Sequence, residues 1–189
     1  RPIEALVTVT PISPASASDL GQAPGSLLIA PGSTTATVAV PVNDDALSEV
    51  AEAFEVTLSS PNFATLARAT ATLSLTDDDP VPVITIADLT VSEGVGAAAL
   101  PLSIQGSFEG PLELTVAVQP LGVTSLADLG AVPAQLTIAS GATNATLTIG
   151  VVDDSLHEPG EAFRFTLGSS GRAMLGDGEA LLNVLDDDA

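Results

Sequence analysis

The chain has 189 residues, 46% of them hydrophobic but only 3% aromatic, and its 24 Asp and Glu against four Arg and no Lys give a formal charge of −20. That balance excludes a phosphate-binding surface for nucleic acid and docking on an anionic membrane. The lack of Cys excludes disulfides, thiolate metal sites and cysteine nucleophiles. No apolar run reaches the ~18 residues of a membrane span, so no membrane insertion is expected. No secretion signal opens the chain, and any export signal is expected outside it. The core must be aliphatic, and 16 Gly and 14 Pro disfavour long helices.

In chain order, the first feature is an internal repeat. "DDALSEVAEAF" (Asp44–Phe54) returns as "DDSLHEPGEAF" (Asp153–Phe163), an offset of 109 residues. The same offset aligns "SDLG" at Ser18 with "ADLG" at Ala127, "IAPGSTTAT" at Ile29 with "IASGATNAT" at Ile138, and "TDDDP" at Thr76 with "LDDDA" at Leu185. Arg1 aligns with Gly110, so the first copy lacks a counterpart to "VITIADLTVSEG" and "AAALPLSIQG" of the second. The chain therefore starts inside a repeat; either it belongs to a longer array or another chain supplies the missing strands.

Within the second copy, apolar residues alternate with period two in short runs: "VITIA" (83–87), "LPLSIQ" (100–105), "LELTVAV" (112–118), "AQLTIA" (134–139), "ATLTIGVV" (145–152), "FRFTL" (163–167) and "ALLNVL" (180–185). Gly, Pro, Ser and Asp separate them at the spacing of a β-sandwich. About seven strands predict two packed antiparallel sheets of immunoglobulin-like type. The expected fold is all-β: two tandem immunoglobulin-like sandwiches, residues 1–80 and 81–189, the first without its N-terminal strands. Pro80 and Pro82 in the link "DDDPVP" restrict the backbone between them.

The acidic residues gather at strand ends. In the second copy they are Glu93, Asp128, Asp153, Asp154, Glu158, Glu161, Asp186, Asp187 and Asp188. In the first they are Asp19, Asp44, Asp45, Glu49, Glu52, Asp77, Asp78 and Asp79. These seventeen are most of the 24 carboxylates, so the charge is clustered rather than spread as a solvating coat. Two carboxylates ~4 Å apart near a surface repel by roughly 4 kcal/mol at an effective dielectric of 20, unless water screens them or a cation bridges them. Calcium suits such a set, because it accepts 6–8 hard oxygens in irregular geometry; magnesium demands stricter geometry. One His and no Cys argue against zinc. No EF-hand loop is present.

The pattern DD-x₃-E-x₂-E-x-F, followed by a strand and closed by "DDD", with an earlier "VSEG", resembles the Calx-beta domain. That domain occurs in sodium–calcium exchangers, integrin β4 and large bacterial surface proteins. The resemblance implies a seven-stranded immunoglobulin-like sandwich with calcium ions clustered at one tip. It implies Glu93 as an early ligand, Asp128 as a loop ligand, and Asp153 and Asp154 closing a strand. Glu158 and Glu161 would lie in the loop that follows, and Asp186–Asp188 would be the terminal ligands. The first copy lacks only the glutamate.

Phe54 and Phe163, two residues beyond the second glutamate of each loop, are expected to anchor it to the core. His157 replaces Ser48 and is expected to face solvent. Asn144 begins a glycosylation sequon that its partner Thr35 does not, and is read as chance. Paired carboxylates can hydrolyse glycosides, but a sugar groove wants aromatic platforms, and the chain has no Trp or Tyr. No catalytic activity is expected. The expected role is a calcium-binding structural or adhesive module of an extracellular or cell-surface repeat protein. Its partners would be calcium ions and neighbouring repeats, with strand addition into a homopolymer as one outcome. A calcium-dependent polysaccharide or receptor module and a calcium sensor remain alternatives.

Overall fold

The computed structural model describes residues 1–122, 124–169 and 171–188. The chain divides into two compact units, Arg1–Asp78 and Asp79–Ala189. The fold is all-β, with three single 3-10 turns and no α-helix among the described residues. Among the described residues, no helix is long and apolar enough to cross a membrane.

The first unit holds β1 (Ile3–Ile12), β2 (Ser26–Ile29), β3 (Glu52–Ser59) and β4 (Thr70–Leu75) in one antiparallel sheet of order β2-β1-β3-β4. The second holds β5 (Val83–Ile86), β6 (Leu89–Ser92), β7 (Ala97–Gln105), β8 (Leu112–Pro120), β9 (Gln135–Ile138), β10 (Asn144–Gly150), β11 (Glu161–Ser169), β12 (Met174–Asp177) and β13 (Glu179–Leu185). They form two sheets, β10-β7-β5-β12 and β6-β13-β11-β8-β9.

Nine strands replace the seven read from periodicity, and two of the pairings are parallel, β12 with β5 and β13 with β6. The cause is local. The run from Val83 to Ser92 breaks at Ala87 and Asp88, where Asp88 Oδ1 accepts the Leu181 N–H at 2.8 Å. The chain thereby leaves one sheet and enters the other, so a single apolar run serves both.

β7 shows why this sequence makes a sandwich strand. Ala98, Leu100, Leu102 and Ile104 are buried while every intervening residue is exposed, the period-two signature of a strand with one wet face. Across the interior, Phe163, Phe165 and Leu182 from the five-stranded sheet share the core with Leu100, Leu147 and Ile149 from the other, all fully buried. Each such side chain contributes about 1.5–3 kcal/mol by leaving water.

The repeat is also structural. The isolated bridge Leu20–Val42 of the first unit reappears as Leu129–Val151 in the second, and the 3-10 turn Ala17–Asp19 as Leu126–Asp128. The units differ in what faces the sheet that carries β3 or β11. In the second, β10 pairs with β7 over seven residues. In the first, the counterpart of β10, residues 35–41, forms no strand.

Candidate metal centre

Three segments bring carboxylates together at one end of the second sandwich. Glu93 opens the 3-10 turn Glu93–Val95 directly after β6. Asp153 follows β10, and Asp186–Asp188 follow β13. Because β13 runs parallel to β6, with Leu185 opposite Ser92, both strands end at the same rim. That parallel pairing places the glutamate beside the aspartate triplet.

Two groups of oxygens result, Glu93 with Asp186 and Asp188, and Glu93 with Asp153 and Asp187. In each, the carboxylate oxygens lie within 4.8 Å of one another. Glu93 belongs to both and is 7% exposed. Its Oε1 is buried without a hydrogen-bond partner, and so is Asp188 Oδ2.

The "SEG" tripeptide works as a unit. Ser92 Oγ donates to Asp187 Oδ2 at 2.6 Å, and a Cβ on Gly94 would lie 2.8 Å from that same oxygen. Ser92 therefore holds Asp187, Glu93 supplies the shared carboxylate, and Gly94 leaves room for both.

A second cluster adjoins the first. Asp128, Glu158 and Glu161 line a cavity of about 320 Å³ with Thr124, Ser125, Pro159 and Gly160. Asp154 belongs to the electrostatic environment of both clusters, acting on Glu93, Asp188 and Glu158. Its Oδ1 accepts the Leu156 N–H at 2.7 Å, which shapes the loop.

The electrostatics record the crowding. Burial raises the pKa of Glu93 first, and Asp186, Asp187, Asp188 and Asp154 raise it further. Asp188 is raised by burial and by Asp186, Asp187, Asp153 and Asp154. Glu158 is raised by burial and by Asp128, Asp154 and Asp186. Glu161 is pushed up to about 7, by burial and by a hydrogen bond with Asp128 that needs a proton between the two carboxyls, against the Ser125 N–H that favours its anion. Asp186 goes the other way. Burial would raise it, but the Glu158 N–H, the His157 ring and the Asp188 N–H together lower it.

The donor set fits a hard cation. It is built from carboxylates, and two of its buried oxygens have no protein donor. Calcium takes such oxygens, whereas zinc prefers His and Cys.

The Calx-beta domain profile matches the chain twice, over residues 13–79 and 76–188. The chain belongs to the Calx-beta domain family. Among solved structures it is similar to the apo form of the Calx CBD1 domain, with 21% identity over 58% of this chain and 100% of that one, at a TM-score of 0.51. It is also similar to the calcium binding domain CBD12 of CALX1.1, with 13% identity over 96% of this chain and 86% of that one, at a TM-score of 0.43.

The first Calx-beta repeat keeps the loop wiring of the second. Glu52 Oε1 accepts the Ser16 N–H at 3.1 Å, as Glu161 Oε1 accepts that of Ser125 at 3.4 Å. Asp45 Oδ1 accepts the Leu47 N–H at 2.8 Å, as Asp154 does that of Leu156. Asp19 and Glu52 are buried, Glu49 and Asp79 half-buried, and Asp44, Asp45, Asp77 and Asp78 exposed. Among the described residues, the three-carboxylate groups both lie in the second repeat. Asp19, Asp44, Asp45, Glu49, Glu52 and Asp77–Asp79 make none.

Phe54 and Phe163 are both fully buried beneath their loops, as expected. His157 faces solvent as expected, and it also makes one contact with the cluster. Its side chain is 74% exposed, yet Nδ1 lies 2.6 Å from Asp186 Oδ2, so it orients a cluster carboxylate from the solvent side. Ser92, Gly94 and His157 were missed as site residues. The adjacency of Ser and Gly to the shared glutamate was the signal available for the first two.

Proposed function

We propose that this Calx-beta chain is a calcium-binding structural module of an extracellular or cell-surface repeat protein, in which bound ions stiffen the passage from one repeat to the next. The observation that carries the reading is Glu93, a buried carboxylate with an unpartnered oxygen, common to two acidic groups. Without a cation its charge is desolvated and repelled by its neighbours. With one, the same oxygens become ligands and the rims of β6, β10 and β13 are tied together.

Asp77–Asp79 close the first repeat and run through Pro80 and Pro82 into β5. An ion held by that triplet removes freedom from a link already restricted by its prolines. In an array, repeated links of this kind give a rod, and strand addition between copies gives a fibre suited to adhesion. The role is mechanical and needs no catalytic group.

Calorimetric titration of the chelator-treated chain is the test, with calcium and magnesium in separate runs and scattering recorded with and without EDTA. Saturable calcium uptake with magnesium much weaker, a higher melting temperature with calcium, and a narrower distribution of shapes are expected. No calcium uptake, or uptake without effect on melting and scattering, overturns the reading.

A further inference from the structure

The two open sheets of the second repeat end in β10, β12, β6 and β9, and three of these edges are guarded. A bare edge strand pairs with other chains, so native proteins shorten, bend or charge their edges. β6 has four residues and lies between Asp88 and Glu93. β9 also has four, and Thr137 Oγ1 donates to the Glu113 carboxylate at 3.0 Å, which brings a charge to that edge. β12 has four, shifts register between Leu175 and Asp177, and ends in a carboxylate. β10 has none of these devices. Its seven residues, Asn144–Gly150, carry no charge and no proline, and they keep unbroken register with β7.

Hydrogen bonds at its two ends fix which backbone groups point outward. The Ile104 N–H donates to the Thr143 carbonyl at 3.0 Å, and the Val151 N–H donates to the Gly96 carbonyl at 3.1 Å. Odd-numbered residues of β10 therefore bond β7, and even-numbered ones turn their N–H and C=O away from it. Those of Gly150 are taken by the Ala131 carbonyl and the Gly130 N–H. Among the described residues, nothing hydrogen-bonds the N–H and C=O groups of Asn144, Thr146 and Thr148. All three residues are exposed, while Leu147 and Ile149 between and beyond them are fully buried and hold the strand in place.

We propose that β10 is an interaction surface for a second copy of this chain, pairing antiparallel with its own counterpart about a two-fold axis at Thr146. The inference names a strand and a partner for the strand addition proposed above, and it does not rest on the calcium part of that reading. In this register Thr146 faces Thr146 of the second copy and Asn144 faces Thr148, exchanging about six main-chain hydrogen bonds. The facing side chains are uncharged, and Thr–Thr contacts across antiparallel strands are favourable. Both strands are already ordered by β7, so little conformational entropy is lost on pairing. Charge sets the direction. β10 runs toward Asp153 and the acidic rim, and a parallel partner would set two such rims side by side in chains of formal charge −20. An antiparallel partner sends its rim the opposite way. At about 3.3 Å per residue from Thr146, the two Asp153 residues then lie on the order of 40 Å apart, several screening lengths at physiological salt.

The test is sedimentation of the full chain over a concentration series, in EDTA and in calcium. A monomer–dimer equilibrium is expected in both. Thr146→Pro deletes an outward N–H and leaves the bonds to β7 in place. It should weaken the dimer about tenfold with an unchanged circular dichroism spectrum, and Thr166→Lys, on the exposed face of β11, should leave the dimer as it is. Oxidation reads the register, since the chain has no Cys. Thr146→Cys should cross-link to itself, because facing residues of such a pair have Cα atoms about 5.5 Å apart, within disulfide reach. Thr148→Cys alone should not, and mixed with Asn144→Cys it should give a cross-linked heterodimer. A dimer that Thr146→Pro leaves intact, or that Thr146→Cys and Thr148→Cys cross-link equally, overturns the inference. A dimer seen only in calcium also overturns it, because that one is bridged through the acidic rims. Calcium uptake by a chain that stays monomeric to millimolar concentration overturns this inference alone and leaves the calcium reading standing. A dimer in EDTA, from a chain that takes up no calcium, supports this inference and removes that reading.

Discussion

Ser92 and Asp187 are 95 residues apart in sequence, and the Ser92 hydroxyl donates to the Asp187 carboxylate at 2.6 Å. Gly94 lies against the same oxygen, where a Cβ would come to 2.8 Å, closer than a side chain can sit without displacing it. Gly94→Ala should therefore push Asp187 away from Glu93 without changing any charge. The expected outcome is a calcium affinity lowered about tenfold, or ~1.4 kcal/mol, with an unchanged circular dichroism spectrum. Calorimetry on the purified variant checks it, and an unaltered affinity removes Asp187 from the ligand set.

Glu93→Gln separates a ligand from a structural group. The amide keeps the shape but cannot be repelled by Asp186, Asp187, Asp188 and Asp154, which together with burial raise the Glu93 pKa. In EDTA the variant should melt a few degrees higher than the parent. In saturating calcium it should melt lower, because both oxygen groups lose their common member. Paired melting curves test this, and a shift of the same sign in both conditions makes Glu93 a packing residue instead.

Much of this was legible in the sequence, for identifiable reasons. Period-two alternation marked β7, β8 and β11 because each has one wet face. The 109-residue offset anticipated matched bridges, turns and loop hydrogen bonds. Periodicity did not reveal the break at Asp88, since a chain crossing between sheets keeps its alternation while changing partners. Nor did it reveal the parallel pairing of β6 with β13, which joins residues about 93 apart. That pairing decides the site: the seventeen strand-end carboxylates were visible as a class, but only the shared rim of β6 and β13 distinguishes those that converge from those that do not. The contact of His157 with Asp186 was not legible because an exposed ring gives no burial signal.

Identical sequence motifs should then behave differently. Asp153 and Asp44 occupy the same position in the repeated "DD" loop, but only Asp153 is grouped with Glu93 and Asp187. Asp153→Asn should weaken the tightest calcium-binding step about tenfold, by the same arithmetic as above, and Asp44→Asn should leave that step unchanged. Equal losses in that step from the two substitutions would show that the first repeat binds calcium as tightly without a glutamate partner.

The pH dependence has a definite sign. Glu161 is raised from an ordinary value of 4.5 to about 7 in the folded protein, chiefly by burial and by its hydrogen bond with Asp128. Between those two values the folded state holds more protons than the unfolded state, so stability rises as pH falls through that window. Glu93, Glu158 and Asp188 are raised as well and act in the same direction. Asp186 is lowered and opposes them only in stronger acid. The calcium-free chain should accordingly melt higher at pH 5.5 than at pH 7.5, the reverse of the usual acid destabilisation, and Glu161→Gln should flatten the difference. In calcium the order inverts, because protons compete with the ion for the same oxygens, so affinity falls as pH drops below about 7. Melting curves in EDTA and calcium titrations at the two pH values test both arms. A calcium-free chain that loses stability steadily from pH 7.5 to 5.5 would mean that Glu161 is ionised throughout, with no proton shared between it and Asp128.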